Sequence, residues 1–404
     1  MKNCVIAQSG GPTSVINASV MGLLSKNNEL HYFDAVYGGI NGIEGILKED
    51  FFNLSALTPE EIEAIKNTPS AGLGSCRYKL KNYEDNKEEY ENLFKIFEKH
   101  DIKAFFYAGG NDSQDTVKKL SAYAREKGID MVFIGIPKTV DNDLEVIDHA
   151  PGFGSAARYI ATSVLESYLD SLVYTNNGIF ITETMGRDAG WLAASAATAK
   201  YNGRRCADII LLPEVPFDEE KFLRKVEAIF KEKNHVYIVA SEGVRLQDGS
   251  FLAASTAHAH DSFGHAQLGG AGNALKNIIE HSGLTKRIKV LELSTLQRSA
   301  FHLASEVDLK EAFTLGEKAL IMAQNGETGR VSILVRVSDE PYEVSYTSTD
   351  AANIANHVKY MPMDMVTEDG MNITEEALKY FTPLVGELPA YRVIHHYHEL
   401  SKSK

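Results

Sequence analysis

Cysteine is scarce in this 404-residue chain, and its three cysteines stand far apart. Cys4, Cys76 and Cys206 form no CxxC pair and no even framework. This spacing argues against zinc sites and structural disulfides and favours a reducing compartment, the cytoplasm. Long apolar runs are also missing: no stretch reaches the length that spans a membrane, and the N-terminus MKNCVIAQSGG has no signal-peptide pattern.

Positive charge is in short supply as well. Lys plus Arg number 41 against 55 Asp plus Glu, so the formal net charge is −14. This balance argues against general binding to nucleic acid or to an anionic membrane. A small anionic substrate stays compatible with it, because a local group of basic residues can reverse the field. The length is enough for two or three domains.

Short apolar runs alternate with amphipathic segments along most of the chain. The runs that predict strands are CVIAQ (4–8), AFFYA (104–108), MVFIGI (131–136), IFITET (179–184), DIILL (208–212), VYIVA (236–240), IKVLEL (288–293) and VSILVRV (331–337). Strand–helix alternation of this kind predicts an α/β fold with a doubly wound, mostly parallel sheet. A second α/β unit is expected to begin near residues 150–180.

The loop IPKTVDND (136–143) carries charged residues directly behind the predicted strand 131–136, with Pro137 expected to end that strand. Ligands of open α/β sheets bind beyond the carboxyl ends of strands. A carboxylate such as Asp141 or Asp143 suits a general base for an acceptor hydroxyl, and aspartates together with phosphate suit a divalent ion. Lys138 can neutralise a phosphate. The alternative is an Asx turn with a solvated lysine.

Two glycine-rich helix starts follow successive predicted strands. The first is Ser9, Gly10 and Gly11, before a helix expected to start near Ser14; the second is GGNDS (109–113). Glycines allow a phosphate to approach the backbone, and a helix N-terminus favours its charge. The pair predicts an oligophosphate site. The alternatives are tight packing at the first turn and helix capping by an Asn or Asp at the second.

Further strand ends carry polar residues. Arg187 follows IFITET within MGRDAGW, where the alternative is a surface ion pair with Asp188. Glu242 follows VYIVA and suits hydrogen bonds to sugar hydroxyls, and Arg298 lies beyond IKVLEL. The 13 histidines form no HxxxH or HExxH motif, so we assign them to the surface or to packing.

Taken in order, these motifs resemble the phosphofructokinase family. The matching segments are SGGPTSVINA, GLGSCR, GGNDS, PKTVDND, PGFGSAARYIA, ETMGRDAGW, PE (213–214), SEG, FGHAQLGG (263–270), LQR and PLVGE. The resemblance implies two Rossmann-like lobes with mostly parallel sheets and an active site in the cleft between them. It assigns residues 1–150 to a phosphoryl-donor lobe, 151–310 to a sugar-phosphate lobe and 311–404 to a C-terminal segment packing back on both. It also implies a glycolytic homodimer or homotetramer in the cytoplasm.

The resemblance further implies a role for each motif residue. The catalytic residues would be Asp141, which takes the proton of the acceptor hydroxyl, with Lys138, Asp112 and Arg187. Donor phosphates would contact Gly11, Arg77, Gly110, Asn111 and Ser113. Fructose 6-phosphate would contact Thr139, Asp141, Asp143, Met185, Gly186, Arg187, Glu242, Lys289 and, at its 6-phosphate, Arg298. The implied cofactor is Mg²⁺, held by Asn111, Asp112 and Asp141.

Two positions indicate the phosphoryl donor. Family members that use ATP tend to have glycine where this chain has Asp112 and Lys138, whereas members that use diphosphate resemble this chain at both. A carboxylate at 112 would repel the α-phosphate of ATP, and an ammonium at 138 would stabilise a departing phosphate. The expected reaction is reversible phosphoryl transfer from diphosphate to the C1 hydroxyl of fructose 6-phosphate, giving fructose 1,6-bisphosphate and phosphate. The alternatives are an ATP-dependent 6-phosphofructokinase and a catalytically silent regulatory subunit.

The chain departs from the family pattern at four positions. Asn111 replaces the usual first acid of the GGNDS motif, and Gly178 replaces a frequent basic residue. Lys289 stands where arginine is usual, and Thr295 where histidine or tyrosine is usual. These departures bear on sugar-phosphate and metal binding more than on the reaction itself.

Overall fold

The computed structural model describes residues 2–175, 178–253 and 270–394. Residues 263–269 of the FGHAQLGG motif therefore lie outside the described part of the chain. The described residues divide into two compact units, the first made of 2–156 and 295–360, the second of 157–175, 178–253, 270–294 and 361–394. Within the described helices, none is long and apolar enough to cross a membrane.

The strands are β1 (Asn3–Gln8), β2 (Val36–Gly39), β3 (Phe51–Asn53), β4 (Ile102–Gly109), β5 (Val132–Pro137), β6 (Gly178–Thr184), β7 (Lys200–Tyr201), β8 (Arg204–Arg205), β9 (Ile209–Leu211), β10 (His235–Ser241), β11 (Ile288–Glu292), β12 (Arg330–Asp339) and β13 (Tyr342–Asp350). The helices are α1 (Ile16–Leu30), α2 (Gly42–Ile46), α3 (Pro59–Lys66), α4 (Lys87–Lys99), α5 (Asn111–Lys127), α6 (Phe153–Ser171), α7 (Trp191–Ser195), α8 (Glu219–Lys233), α9 (Ala271–His281), α10 (Leu296–Ser299), α11 (Glu306–Gln324) and α12 (Leu378–Val385).

The first unit is built on a seven-stranded sheet in the order β13-β12-β5-β4-β1-β2-β3. Its interior pairs, from β12 to β2, are parallel, and the outer strands β13 and β3 pair antiparallel. The second unit contains a sheet in the order β11-β6-β10-β9, with every pair parallel. An α/β fold with mostly parallel sheets is therefore confirmed.

The predicted strand runs fold as strands because they bury both faces. Every residue of β1, β6 and β10 is buried, and buried parallel strands read as continuous apolar runs. Pro137 is the last residue of β5, paired with Gly109, so the expectation that it ends this strand is confirmed. The run at 331–337 is parallel to β5 on one side and antiparallel to β13 on the other.

Glycines allow α1 and α11 to pack at very short range in the first unit. A Cβ on Gly22 would lie 2.0 Å from the carbonyl oxygen of Phe313, and one on Gly316 would lie 1.9 Å from that of Ser19. Only glycine fits at such a contact. The contact holds α11 against α1, the helix that follows the first glycine turn.

The division of the chain into a donor lobe, a sugar-phosphate lobe and a C-terminal segment stays a prediction. The described residues of that segment, 311–394, do not form a body of their own, because 311–360 belong to the first unit and 361–394 to the second. Helix α6 contains the boundary between the two units, at residues 156 and 157.

Candidate active site

The predicted site residues fall into two sets. The first unit holds Gly11, Arg77, Gly110, Asn111, Asp112, Ser113, Lys138, Thr139, Asp141, Asp143 and Arg298. The second unit holds Met185, Gly186, Arg187, Glu242 and Lys289. Each set lies within one unit, and we describe the two sets separately.

The glycine turn after β1 is fixed by the loop that carries Arg77. Gly10 has a φ of 76°, in the region that favours glycine, and its N–H donates to the carbonyl of Cys76 at 3.0 Å. The hydroxyl of Ser75 donates to the carbonyl of Gly10 at 2.6 Å. Arg77 is therefore held beside the turn by its two preceding residues.

Two cationic side chains meet over this turn. The ammonium of Lys138 donates to the carbonyl oxygen of Gly11 at 2.7 Å. The Nη1 atom of Arg298 lies 2.6 Å from the point that a Cβ on Gly11 would occupy, and the Arg298 carbonyl accepts from Ser14 Oγ at 3.3 Å. Any larger residue at position 11 would displace the guanidinium. The arrangement offers two cations to a phosphate bound at the turn.

Lys138 is 3% exposed, so the alternative of a solvated lysine in an Asx turn is wrong. Burial and the positive charge of Arg298 lower the pKa of Lys138 to about 8, against the opposing influence of Asp141 and Asp143. The positive charge of Arg77 also lowers it. The ammonium therefore loses its proton at a lower pH than an ordinary lysine does, and it lies near both aspartates of its loop.

The aspartate loop is shaped by local hydrogen bonds. The N–H of Asp141 donates to Thr139 Oγ1 at 3.1 Å, and Thr139 pairs with Gly152 in an isolated parallel bridge. Asn142 stands between the two aspartates with a left-handed φ of 57°, which asparagine tolerates better than most residues. Its Oδ1 accepts from the N–H of Ala150 at 3.0 Å. The loop is thus closed on the segment that starts α6.

Helix α5 begins directly behind β4, with Gly110 at its N-cap and no side-chain cap. The alternative of helix capping by an Asn or Asp is therefore wrong. Asp112 lies in the first turn, partly exposed, and its Oδ1 is 3.6 Å from the ammonium of Lys79. Ser113 is buried, with its hydroxyl where a Cβ on Gly109 would fall. The N-terminus of α5 favours an anion by the direction of its helix dipole.

In the second unit, the loops after β6 and β10 are joined. The hydroxyl of Ser241 donates to the carbonyl of Gly186, and the N–H of Glu242 donates to the carbonyl of Thr184 at 2.8 Å. A Cβ on Gly243 would lie 2.0 Å from the carbonyl of Arg187. The structure thus brings Met185, Gly186, Arg187 and Glu242 together at the carboxyl edge of this sheet. Asp188 forms an ion pair with Arg245 at 2.6 Å.

Glu214, in the PE motif, was given no role from the sequence alone. Its Oε1 accepts from the N–H groups of Gly190 and Met361, both at 2.9 Å, and burial raises the pKa of its carboxyl group. It therefore fixes the end of the MGRDAGW segment. The PE motif was visible in the sequence, but the residues that Glu214 contacts are distant along the chain, so its role could not be predicted.

Lys289 is not brought to this edge. It pairs with Phe180 in the register of β11 and β6, three residues before the end of β11, or roughly 10 Å along a strand. Its side chain is mostly exposed and lies 3.9 Å from Asp170. The substrate contact assigned to Lys289 stays a prediction.

The metal assignment has limited support from geometry. Across residues 2–175, 178–253 and 270–394, no three His, Cys, Asp or Glu side chains converge to hold a metal ion. The amide of Asn111 is engaged elsewhere: its Oδ1 accepts from the N–H of Asn356 at 2.6 Å, and its Nδ2 donates to two carbonyl groups. Mg²⁺ is often held by only one or two carboxylates together with substrate phosphates. The donor set of Asp112 and Asp141 fits that mode, and the ligand role of Asn111 stays a prediction.

Comparison with known proteins shows the family of this chain. Residues 3–322 match the family described as phosphofructokinase, and the chain belongs to that family. The chain is 42% identical over 386 residues to the pyrophosphate–fructose 6-phosphate 1-phosphotransferase of Halomonas elongata, covering 95% of this chain and 91% of that protein. It is 42% identical over 388 residues to the protein of the same name from Methylococcus capsulatus, covering 95% and 91%.

The fold of this chain also matches that of a solved structure. The pyrophosphate-dependent phosphofructokinase of Marinobacter aquaeolei superposes with a TM-score of 0.84 at 38% identity, covering 97% of this chain and 94% of that one.

Proposed function

We propose that this chain transfers a phosphoryl group from diphosphate to the C1 hydroxyl of fructose 6-phosphate, reversibly, giving fructose 1,6-bisphosphate and phosphate. The observation that carries the proposal is the buried ammonium of Lys138 beside Arg298 at the Gly10–Gly11 turn, in a chain whose similar relatives are named for the use of diphosphate. These relatives support diphosphate over ATP as the donor.

The chemistry needs little covalent participation by the protein. The C1 oxygen attacks one phosphorus of diphosphate, the bridging P–O bond breaks, and the C1 proton passes to Asp141 as general base. Lys138 stabilises the charge on the departing phosphate. Because one phosphoanhydride bond is exchanged for one ester of similar energy, the reaction runs in both directions.

The remaining roles are assigned by motif and by placement. We assign the donor phosphates to the turn after β1 and the first turn of α5, with Gly11, Arg77, Gly110 and Ser113. Met185, Gly186, Arg187 and Glu242 form the sugar-phosphate edge of the second unit. Arg298 is assigned to the 6-phosphate, although its place over Gly11 would also let it reach a donor phosphate.

Mg²⁺ is the proposed cofactor, held by the carboxylates of Asp112 and Asp141 with oxygens of diphosphate. When bound, the ion would neutralise negative charge on the donor. The first-turn N–H groups of α5 and the ammonium of Lys138 orient and neutralise the phosphates as properties of the chain itself. We further propose that the protein works in glycolysis in the cytoplasm, as a homodimer or homotetramer.

The test is a donor comparison with purified protein, fructose 6-phosphate and Mg²⁺. We expect kcat/KM to be much higher with diphosphate than with ATP, and the product to carry its new phosphate at C1. Asp141→Asn serves as the inactive variant, and Asp130→Asn, which changes an exposed aspartate, serves as its matched control. Higher kcat/KM with ATP would replace the proposal with the ATP-dependent alternative, and activity with neither donor would favour the silent regulatory subunit.

A further inference from the structure

A short segment of the first unit contacts two parts of its candidate site, the first turn of α5 and the loop between β5 and α6. This segment, residues 354–359, follows β13, and we name it the strap. One end of the strap lies on the first turn of α5, which carries Asp112. The other end lies on the loop between β5 and α6, which carries Asp141 and Asp143.

Asn111 anchors the first end. Its Nδ2 donates to the carbonyls of Ile354 at 3.1 Å and His357 at 2.5 Å, and its Oδ1 accepts from the N–H of Asn356 at 2.6 Å. The side chain of Asn356 in turn donates to Asp115 Oδ1 at 3.0 Å. One amide thus binds three backbone groups of the strap. A carboxylate at position 111 could accept one of these bonds but could donate neither of the other two.

Lys359 anchors the second end. Its N–H donates to the carbonyl of Asp143 at 2.8 Å, and its ammonium donates to the carbonyls of Ile147 at 3.0 Å and Asp148 at 2.8 Å. The ammonium also lies 3.3 Å from Oδ1 of Asn142, the left-handed residue between the two aspartates. Lys359 therefore ties the loop at four points. Such a multiple contact fixes the backbone from which both carboxylates project.

We propose that the strap is a positioning element for phosphoryl transfer, with Asn111 and Lys359 as its anchors. It sets the aspartate loop relative to the donor-binding turn of α5, and this role rests on the function proposed above. The chain uses the amide as a double donor to the strap, a use that is incompatible with aspartate.

The proposal predicts a loss of kcat with little change in KM. Misplacing a catalytic group by about 1 Å can cost on the order of a hundredfold in rate. Lys359→Met and Asn111→Asp should each lower kcat by about tenfold to a hundredfold, while both KM values stay within about twofold. Because both changes release the same strap, their combined effect should be smaller than the product of the two separate losses. Lys359→Arg, which keeps donor groups, should recover most of the kcat.

Hydrogen–deuterium exchange provides a readout that needs no turnover. Lys359→Met and Asn111→Asp should both speed exchange in peptides covering 139–148, with the β10 peptide unchanged. Asn353→Ala is the matched control, because its exposed amide donates to Thr349 within the hairpin and not to either loop. If Lys359→Met does not fold, the exchange and kcat of Asn111→Asp, and the kcat of Lys359→Arg relative to the wild type, still test the proposal.

Three results would overturn the proposal. One is unchanged kcat and exchange in both anchor variants, and another is strictly multiplicative losses in the double variant. The third is an Asn111→Asp enzyme that turns over faster and needs less Mg²⁺, because that would make residue 111 a metal ligand and not an anchor. If wild-type protein fails to use diphosphate, the proposed function fails, and the exchange measurement still tests the strap separately.

Discussion

Exchanging Lys138 for arginine should remove an alkaline decline from the pH profile of kcat/KM for diphosphate. In the wild type, the pKa of Lys138 is lowered to about 8 by burial and by the charge of Arg298. About nine-tenths of the Lys138 side chains are then protonated near pH 7 and about one-tenth near pH 9. Because only the protonated form stabilises the departing phosphate, kcat/KM should fall roughly tenfold over that range. Arginine stays charged throughout, and its profile should lack that decline.

A methionine at the same position gives the limiting value. Losing one preorganised charge contact is worth roughly 3 kcal/mol, or about a hundredfold in rate. The kcat/KM of Lys138→Met should therefore be lower than that of the wild type by about that factor at neutral pH. Its pH profile should show no titration of residue 138, and the wild-type kcat/KM should fall toward that of the variant at high pH. Ionisations of the substrates are common to all three proteins, so the difference between profiles isolates Lys138.

The deprotonation of Lys138 cannot cause this decline in activity by destabilising the folded protein. Its folded-state pKa of about 8 lies below the usual 10.5, so between these values the unfolded chain binds more protons than the folded one. The contribution of this group to the free energy of unfolding therefore rises with pH across that window, while activity falls. The same alkaline decline in wild type and in both variants would refute the role of Lys138.

Three further changes test the remaining roles. Asp141→Asn should lower kcat by about 10²- to 10⁴-fold with substrate binding largely kept, and near-normal kcat at saturation would remove it from the mechanism. Arg298→Ala should raise KM for fructose 6-phosphate more than KM for diphosphate; the reverse pattern would assign it to the donor, beside Gly11. Asp112→Gly should admit ATP weakly, and adding Lys138→Gly should lower diphosphate use while ATP activity persists or rises; an unchanged donor preference would contradict the assignment. Lys79→Met is the control for Asp112, because a partly exposed pair of this kind is worth at most about 1 kcal/mol.

The central strands could be predicted from the sequence because each is a continuous apolar run between turn residues. β13 was missed, since YEVSYTSTD has no such run and alternates between half-buried and exposed positions. β2 was missed because VYGG is short and ends in two glycines. Its pairing with β1 supplies the order that the sequence pattern lacks.

The candidate residues were visible at strand ends, but their surroundings were not. Lysine is rarely buried, so nothing in PKTVDND indicated that Lys138 is enclosed. The three bonds of Asn111 reach residues more than 240 positions away, and no local pattern carries such a contact. The position of Lys289 depends on the register of β11 against β6, which the spacing of motifs does not determine.

The central claim is that diphosphate is the phosphoryl donor and the sugar C1 hydroxyl the acceptor. Phosphorus NMR of a mixture of protein, Mg²⁺, diphosphate and fructose 6-phosphate tests it directly. We predict that each diphosphate consumed yields one fructose 1,6-bisphosphate and one phosphate, and that a mixture started from those products reaches the same composition. Persistence of diphosphate, or its hydrolysis to two phosphates without a new ester at C1, would contradict the claim.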